Sequence, residues 1–325
     1  MKSKILKMLL EKQNYISGQK ICEELGVSRT AVWKIINQLK EDGYEIESVT
    51  NKGYRILTTP NAVTREAVES RMSTKEIARK VVYQDEVDST NMEAKRLAEK
   101  KDSHGLLVIA ESQSQGKGRR GRNWESPKGM GIWMSLILKP QIEPIHASML
   151  TLVTALAAAK GIEEETGLEA KIKWPNDIVI NGKKICGILT EMSSEVDYIH
   201  YIIVGIGINA NTEIFPDQLC ETASSLYLEG GKKVERASLI CKIMKNFENY
   251  YVEFLKTQNL QKLLEEYNPL LVNKGKTVRV LGTQEEIIGI AKGINEKGEL
   301  LIEVEGTIIP IISGEVSVRG LYGYV

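Results

Sequence analysis

Cations broken up by glycines, in the stretch Gly116, Lys117, Gly118, Arg119, Arg120, Gly121 and Arg122, cannot be packed into a protein interior. Like charges at this density repel one another unless water or a polyanion lies against them, so the stretch has to be a surface loop or the wall of an anion site. Gly116, Gly118 and Gly121 let the backbone approach a ligand and take positive φ. Apolar runs flank the stretch, Leu106 to Ala110 before it and Ile132 to Leu138 after it, with Asn123, Pro127, Gly129 and Gly131 in between. The order is strand, loop, strand. The spacing also reads G-x-G-x-x-G, but a dinucleotide turn needs a helix whose N-terminus faces the pyrophosphate, and none follows. A mobile loop that closes over an anion is the reading adopted, with a solvated basic loop as the plain alternative.

The rest of the chain has room for two or three domains, with 325 residues of which 42% are hydrophobic. Lys plus Arg and Asp plus Glu each number 43, so nucleic-acid binding has to come from a local patch and not from a global field. Cys22, Cys186, Cys220 and Cys241 are scattered, with no C-x-x-C, and read as apolar fillers in a reducing compartment. His104, His146 and His200 are equally dispersed, which argues against a histidine metal or catalytic site. Met1 to Leu10 carries Lys2, Lys4 and Lys7 and lacks the apolar core of a signal peptide. No run is read as spanning a membrane, so a cytoplasmic protein with no membrane partner is expected.

At the front, Ile5, Leu6, Leu9 and Leu10 form one helical face, Ile21 and Leu25 a second, and Val32, Ile35, Ile36 and Leu39 a third. Gly26 and Val27 make the turn and Ser28 caps the third helix. This helix would present Arg29, Thr30, Trp33, Lys34 and Asn37 outward, suited to phosphates and major-groove base edges; Trp33 could also be partly core. Tyr44 to Val49 and Tyr54 to Leu57 alternate around Asn51, Lys52 and Gly53, a hairpin signature. Helix-turn-helix plus hairpin is a winged helix. Residues 1 to 58 hold ten Lys or Arg against seven Asp or Glu, a mild excess that favours DNA, although a winged helix can also serve protein contacts.

Thr58 to Asn61 marks a boundary, and Thr64 caps a helix from Arg65 to Arg71. Val81 to Val87 reads as a strand, after which Asp88, Ser89, Thr90 and Asn91 either only cap a helix through Lys101 or also point into a site. Ile145 to Gly167 reads as a long helix. Lys171, Lys173, Trp174, Pro175, Asn176 and Asp177 then form a strand end and a sharp turn that delivers an acid to a rim, where it could hold metal or ribose or merely stabilise the turn. Asn181 and Gly182 open a hairpin returning through Lys184 and Gly187 to Glu191. Lys184 lies among apolar alternations, which suits a cleft. A strand from Tyr198 ends in Gly205, Gly207 and Asn209, with glycines that permit close approach of a flat ligand. Pro216 to Gly231 reads as loop, two helices cover about 236 to 257 and 259 to 267, and short strands at 278–281, 287–292, 300–304 and 316–318, broken by Gly282, 295–298, Gly306 and Gly314, suggest a small barrel.

Four separated stretches, Asp88 to Asn91, Gly116 to Arg122, Lys173 to Asp177 with Lys184, and Gly205 to Asn209, together resemble the bacterial bifunctional biotin-protein ligase and biotin operon repressor family, and the resemblance spans essentially the whole chain. Lys117 departs from it, since arginine is more usual there. The resemblance implies an α+β protein in three parts: a winged helix-turn-helix at 1–60; a mixed-sheet ligase domain akin to class II aminoacyl-tRNA synthetases at 61–270; and an SH3-like β-barrel at 271–325. It implies that biotin and MgATP give biotinyl-5′-AMP, whose biotin passes to a lysine of a biotin carboxyl carrier protein. By the same resemblance, Ser89, Thr90, Asn91, Gln113, Gly116, Lys117, Gly118, Arg119, Lys184, Gly187 and Gly205 surround biotin. Arg119, Arg120, Arg122, Trp124, Asp177, Lys184 and Asn209 lie toward the nucleotide, with Asp177 toward Mg²⁺. Arg119 and Lys184 carry the chemistry, and Ser28, Arg29, Thr30, Trp33, Lys34 and Asn37 meet operator DNA in a homodimer promoted by the adenylate. A lipoate-protein ligase and a non-catalytic ligand-sensing transcription factor are the alternatives.

Overall fold

A computed structural model describes residues 1–12, 14–282, 286–313, 317–320 and 324–325. The front end folds around its own apolar core, formed by Ile5, Leu6, Leu9, Ile21, Val32, Ile36 and Leu39 among others. Its helices are α1 (Lys2–Glu11), α2 (Gly18–Leu25) and α3 (Arg29–Glu41), followed by the antiparallel pair β1 (Glu45–Val49) and β2 (Gly53–Thr58). Local chemistry sets each boundary. Ser17 and Ser28 accept hydrogen bonds from the Lys20 and Ala31 amides, and Gly26 closes α2 in the left-handed region at φ 65°. Gly53 is required where the wing crosses Ile16, because a Cβ there would fall on the Ile16 carbonyl. Trp33 is 57% exposed, so it belongs to the outer face of α3 and not to the core.

Beyond the linker come α4 (Arg65–Glu69), β3 (Lys80–Val87), α5 (Thr90–Ala98), β4 (Leu106–Gln113), β5 (Ile132–Leu138), α6 (Met149–Thr166), β6 (Lys171–Lys173), β7 (Asp177–Ile180), β8 (Lys183–Ser194), β9 (Ile199–Ile208), α7 (Leu226–Gly230), α8 (Arg236–Thr257) and α9 (Leu264–Tyr267). The seven strands run in the order β3-β4-β5-β9-β8-β7-β6, parallel only at β3 and β4. Apolar residues of α6 and α8 belong to the main core with one side of this sheet. On the other side, Ala94 and Ala98 of α5 pack on Val108, Ile137 and Ile203. Pro144–Thr166 does have the length and hydropathy of a membrane span, contrary to expectation, but 72% of its apolar window is buried inside the protein, which is how a core helix is used. The segment read as loop at 216–231 contains α7, capped by Ser225.

The last part is a five-stranded antiparallel sheet of β10 (Thr277–Leu281), β11 (Ile287–Ile294), β12 (Leu300–Val304), β13 (Thr307–Ile311) and β14 (Ser317–Gly320), ordered β13-β12-β11-β10-β14. The sequence reading missed β13, whose Pro310 lowers its strand signal. It lies at the edge, where a missing N–H is tolerated. Gly314 and Val316 lie outside the described residues. Val278, Val280 and Ile302 belong to the same continuous core as α6 and α8. All four cysteines are free.

Candidate functional site

The face of the seven-stranded sheet that α5 covers is only half covered. Side chains alternate along strands, so Ile203, Gly205 and Gly207 of β9 share that face, opposite Ile137, Ser135 and Trp133 of β5 and beside Leu189 and Gly187 of β8. Apolar side chains stop at Ile203, and glycines continue the row. The result is a narrow cavity of about 50 Å³. Ser89, Thr90, Asn91, Gln113, Lys117, Gly118, Arg119, Trp124, Lys184, Gly187 and Gly205 line it, with Asn176 of the sharp turn and Gly207 of the glycine row, and with Met134, Ile188, Leu189 and Ile206, which the sequence reading did not single out.

One end of the cavity is a closed polar network. The Gln113 carboxamide oxygen accepts from the Thr90 amide at 2.8 Å and hydroxyl at 3.1 Å, while its NH₂ donates to Ser126 Oγ at 2.7 Å. Asn91 Oδ1 accepts from Ser135 Oγ at 2.6 Å, and Asn91 Nδ2 donates to Glu191 at 2.7 Å. Lys95 pairs with the same Glu191 at 2.6 Å. A Cβ at Gly205 would lie 2.2 Å from Asn91 Oδ1, so glycine is needed there to seat the amide. Ser89 makes no capping bond and is 2% exposed. It lines the cavity with Thr90 and Asn91, whereas Asp88 lies outside the lining and pairs with Arg96.

The cationic loop is a pinched hairpin. Gln113 bridges to Ser126 and Lys117 to Asn123, and the Gly118 amide donates to the Arg122 carbonyl at 2.7 Å. Only Gly121 among its three glycines has positive φ, at 69°, next to Arg120 at 58°. Gly116 is glycine for a different reason than the one expected: the Trp124 carbonyl and Ser126 hydroxyl crowd the place of its Cβ. Gly116 is therefore buried behind the wall. Arg120 and Arg122 are exposed and outside the lining, whereas Arg119 turns inward and donates to Asn176 Oδ1 at 2.8 Å. Burial lowers the pKa of Arg119, opposed by the charge of Asp177. The Trp124 indole lies over the glycine floor, 2.7 Å from where a Gly207 Cβ would be, and its buried N–H has no partner.

Lys184 reaches the cavity through a register shift. Ile178 pairs with Cys186 but Val179 with Lys184, so a bulge at Ile185 returns the Lys184 side chain to the face of Gly187. Its Nζ is 2.6 Å from Asp177 Oδ1 and 5.1 Å from the Trp124 ring centre. Asp177, at the start of β7 after the cis Trp174–Pro175 bond, is outside the lining and holds Lys184 from behind. Lys173, 6% exposed, has its pKa lowered to about 8 by burial, with Asp177 opposing. Asn209 is buried and donates to the Ser224 carbonyl at 3.1 Å, away from the cavity. Among the described residues no group of three or more acidic, His or Cys side chains could cage a metal.

Behind the loop lies an ion pair that no local signal announces. Arg236, 2% exposed, donates to Glu111 at 2.9 and 3.2 Å, to the Gly131 carbonyl at 3.0 Å and to the Asn61 carbonyl at 2.6 Å. It ties both ends of the loop segment to the linker.

A sheet floored with glycine, a polar network at one end and convergent cations at the other define an acid-activating ligase. In agreement, residues 83–209 match the biotin/lipoate A/B protein ligase family, residues 2–55 an HTH domain and residues 275–319 the biotin protein ligase C terminal domain. The bifunctional ligase/repressor BirA of Bacillus spizizenii is 41% identical over 304 residues, 93% of each chain, and that of Escherichia coli is 29% identical over 312 residues, 96% of this chain and 95% of its own. The biotin protein ligase of Aquifex aeolicus, solved with biotin and ATP, superposes with a TM-score of 0.66 at 33% identity, covering 74% of this chain and 99% of that one. The protein belongs to the family of bifunctional biotin ligase/repressors.

Proposed function

We propose that the protein is an ATP-dependent biotin-protein ligase that also represses biotin operon genes. The observation that carries this reading is the single cavity on which the Asn91 network, Arg119, Trp124 and Lys184 converge. Biotin's carboxylate attacks the α-phosphorus of ATP, the bond to pyrophosphate breaks, and biotinyl-5′-AMP remains; a lysine amine of a carboxyl carrier protein then attacks the acyl carbon and AMP leaves. Two anions have to meet in the first step. Lys184 and Arg119, held in place before the reaction, offset their repulsion and stabilise charge growing on the phosphoryl oxygens. Ser89, Thr90, Asn91 and Gln113 orient the polar head of biotin. An apolar dithiolane would offer this polar end no hydrogen-bonding group, which disfavours lipoate.

Mg²⁺ is usually held by one or two carboxylates plus substrate phosphates, so the absence of a cage among the described residues fits, and Asp177 would hold the ion with a carboxylate lone pair beyond those its protein partners take. When bound, the ion neutralises phosphate charge. Gly116, Lys117, Gly118 and Trp124 form a lid that keeps water from the mixed anhydride, with Arg120 and Arg122 facing the nucleotide phosphates from its rim. Asn209 acts from behind, by fixing the Ser224 segment beside β8, and Gly187 leaves room for the Trp124 ring and the Lys184 head.

The three parts are the winged helix at 1–60, a ligase domain of class II synthetase type at 61–270, and an SH3-like barrel at 271–325 that assists catalysis and carrier approach. Ser28, Arg29, Thr30, Trp33, Lys34 and Asn37, on the outer side of α3, read the operator. Adenylate binding orders the lid, promotes a homodimer and sets two winged helices on a palindromic site in the cytoplasm. ATP–pyrophosphate exchange with biotin, with lipoate and with neither tests the reading. Exchange with biotin alone is expected; exchange with lipoate, or with no acid at all, contradicts it. Operator affinity and dimerisation unchanged by biotin plus ATP would remove the regulatory half.

A further inference from the structure

Asp177 has two carboxylate oxygens, and both are in use. Oδ1 takes Lys184, while Oδ2 accepts from the hydroxyl of Tyr324 at 2.5 Å. Tyr324 lies four residues beyond β14 in the chain, 147 residues away in sequence from the acid it binds. Its ring is covered by Lys173, whose Nζ lies 3.4 Å from the ring centre, a cation over the negative face of the ring. Val325 seats against the turn between β7 and β8, where a Cβ on Gly182 would be 3.2 Å from it. Strand β6 and its turn into β7 are also held by the late part of the chain: Trp174 Nε1 donates to the Gly298 carbonyl at 3.1 Å, and Val272 N donates to Ile172 O at 3.0 Å.

Charge makes this contact consequential. Among the groups acting on Lys173, one carboxylate, Asp177, stands against the cations Lys184, Arg319 and Arg122. A carboxylate with a free second oxygen in such company can swing, or can take the Lys184 ammonium on both oxygens. Either motion draws the Lys184 head away from the cavity. A hydroxyl donated to Oδ2 holds the carboxylate in the orientation that turns Oδ1 to Lys184, and the ring beneath Lys173 keeps that hydroxyl where it is.

We propose that Tyr324 is a positioning residue for adenylate formation: seated on Lys173, it fixes the Asp177 carboxylate by one hydrogen bond, and through Asp177 it fixes the reach of the Lys184 ammonium into the cavity. A residue beyond β14 thereby acts on the first half-reaction through one side chain. This rests on the adenylating reading of the cavity given above.

The test is a double-mutant cycle on the full chain, measuring biotinyl-AMP formation from biotin and MgATP in a single turnover for the wild type, Tyr324→Phe, Asp177→Asn and the double variant. Phenylalanine keeps the ring on Lys173 and removes only the hydroxyl. Tyr324→Phe is expected to slow the rate constant about tenfold, as loss of one positioning contact can, with the melting temperature kept. In the Asp177→Asn background the same change is expected to add nothing, because the hydroxyl acts through that carboxylate. A full-rate Tyr324→Phe, or losses that multiply in the double variant, would overturn the inference while leaving the ligase reading intact. No adenylate from the wild type would overturn both.

Discussion

On the floor of the cavity, Gly205 and Gly207 are glycines because something already lies where a Cβ would be: the Asn91 amide over one and the Trp124 indole over the other. In the loop above, Gly121 has open space around that position and is glycine because its φ is 69°. The cations differ in the same way. Lys184 is locked to Asp177 on a paired strand, whereas Arg120 and Arg122 stand exposed on a hairpin tip. On the proposed reading, the floor holds a ligand in register and the loop follows one. Changes to the floor and its frame should therefore be costly and specific, and changes to the tip mild.

The largest effect is expected behind the floor. Arg236→Ala leaves Glu111 buried and unpaired, which should cost about 3–5 kcal/mol in denaturant unfolding, and a loss under about 1 kcal/mol would show that the frame is softer than drawn. Next comes Lys184→Ala, expected to slow adenylate synthesis about 100- to 1,000-fold at nearly unchanged stability; near-normal single-turnover synthesis would take Lys184 out of the chemistry. Gly205→Ala drives a methyl group into Asn91, and calorimetry should record biotin affinity lowered about tenfold or more, equivalent to roughly 1–3 kcal/mol of overpacking. The smallest effect is expected at the tip, where Gly121→Ala strains one residue and should cost about 1 kcal/mol or less, with biotin affinity within about twofold. A tip variant as damaging as the Gly205 one would erase the contrast between floor and loop.

The sequence was most legible where structure is local. Ser28, Gly26 and the turn at Asn51 and Gly53 mark the winged helix because caps and turns are decided by their own neighbours. The members of the cavity, by contrast, were assembled through a resemblance, since no spacing links Asn91 to Gly205 or Arg119 to Asn176. Some features left almost no trace. Ser135 is one hydroxyl in an apolar strand, but it lies between Thr90 and Asn91. The bulge that turns Lys184 inward depends on how β7 and β8 pair, and so on the whole sheet. Glu111 and Arg236 are 125 residues apart and become partners only when α8 packs. The loop glycines were read as one device, although Gly116 answers to a crossing carbonyl and Gly121 to a backbone angle.

The contrast between a fixed floor and a responsive loop can be measured in one experiment, amide hydrogen exchange of the protein alone and after incubation with biotin and MgATP. Amides of residues 116–124 should gain strong protection on ligand binding, while those of 187–189 and 205–207, already paired in the sheet, should change little. Unchanged exchange in 116–124, or a floor that becomes protected only with ligand, would contradict the account.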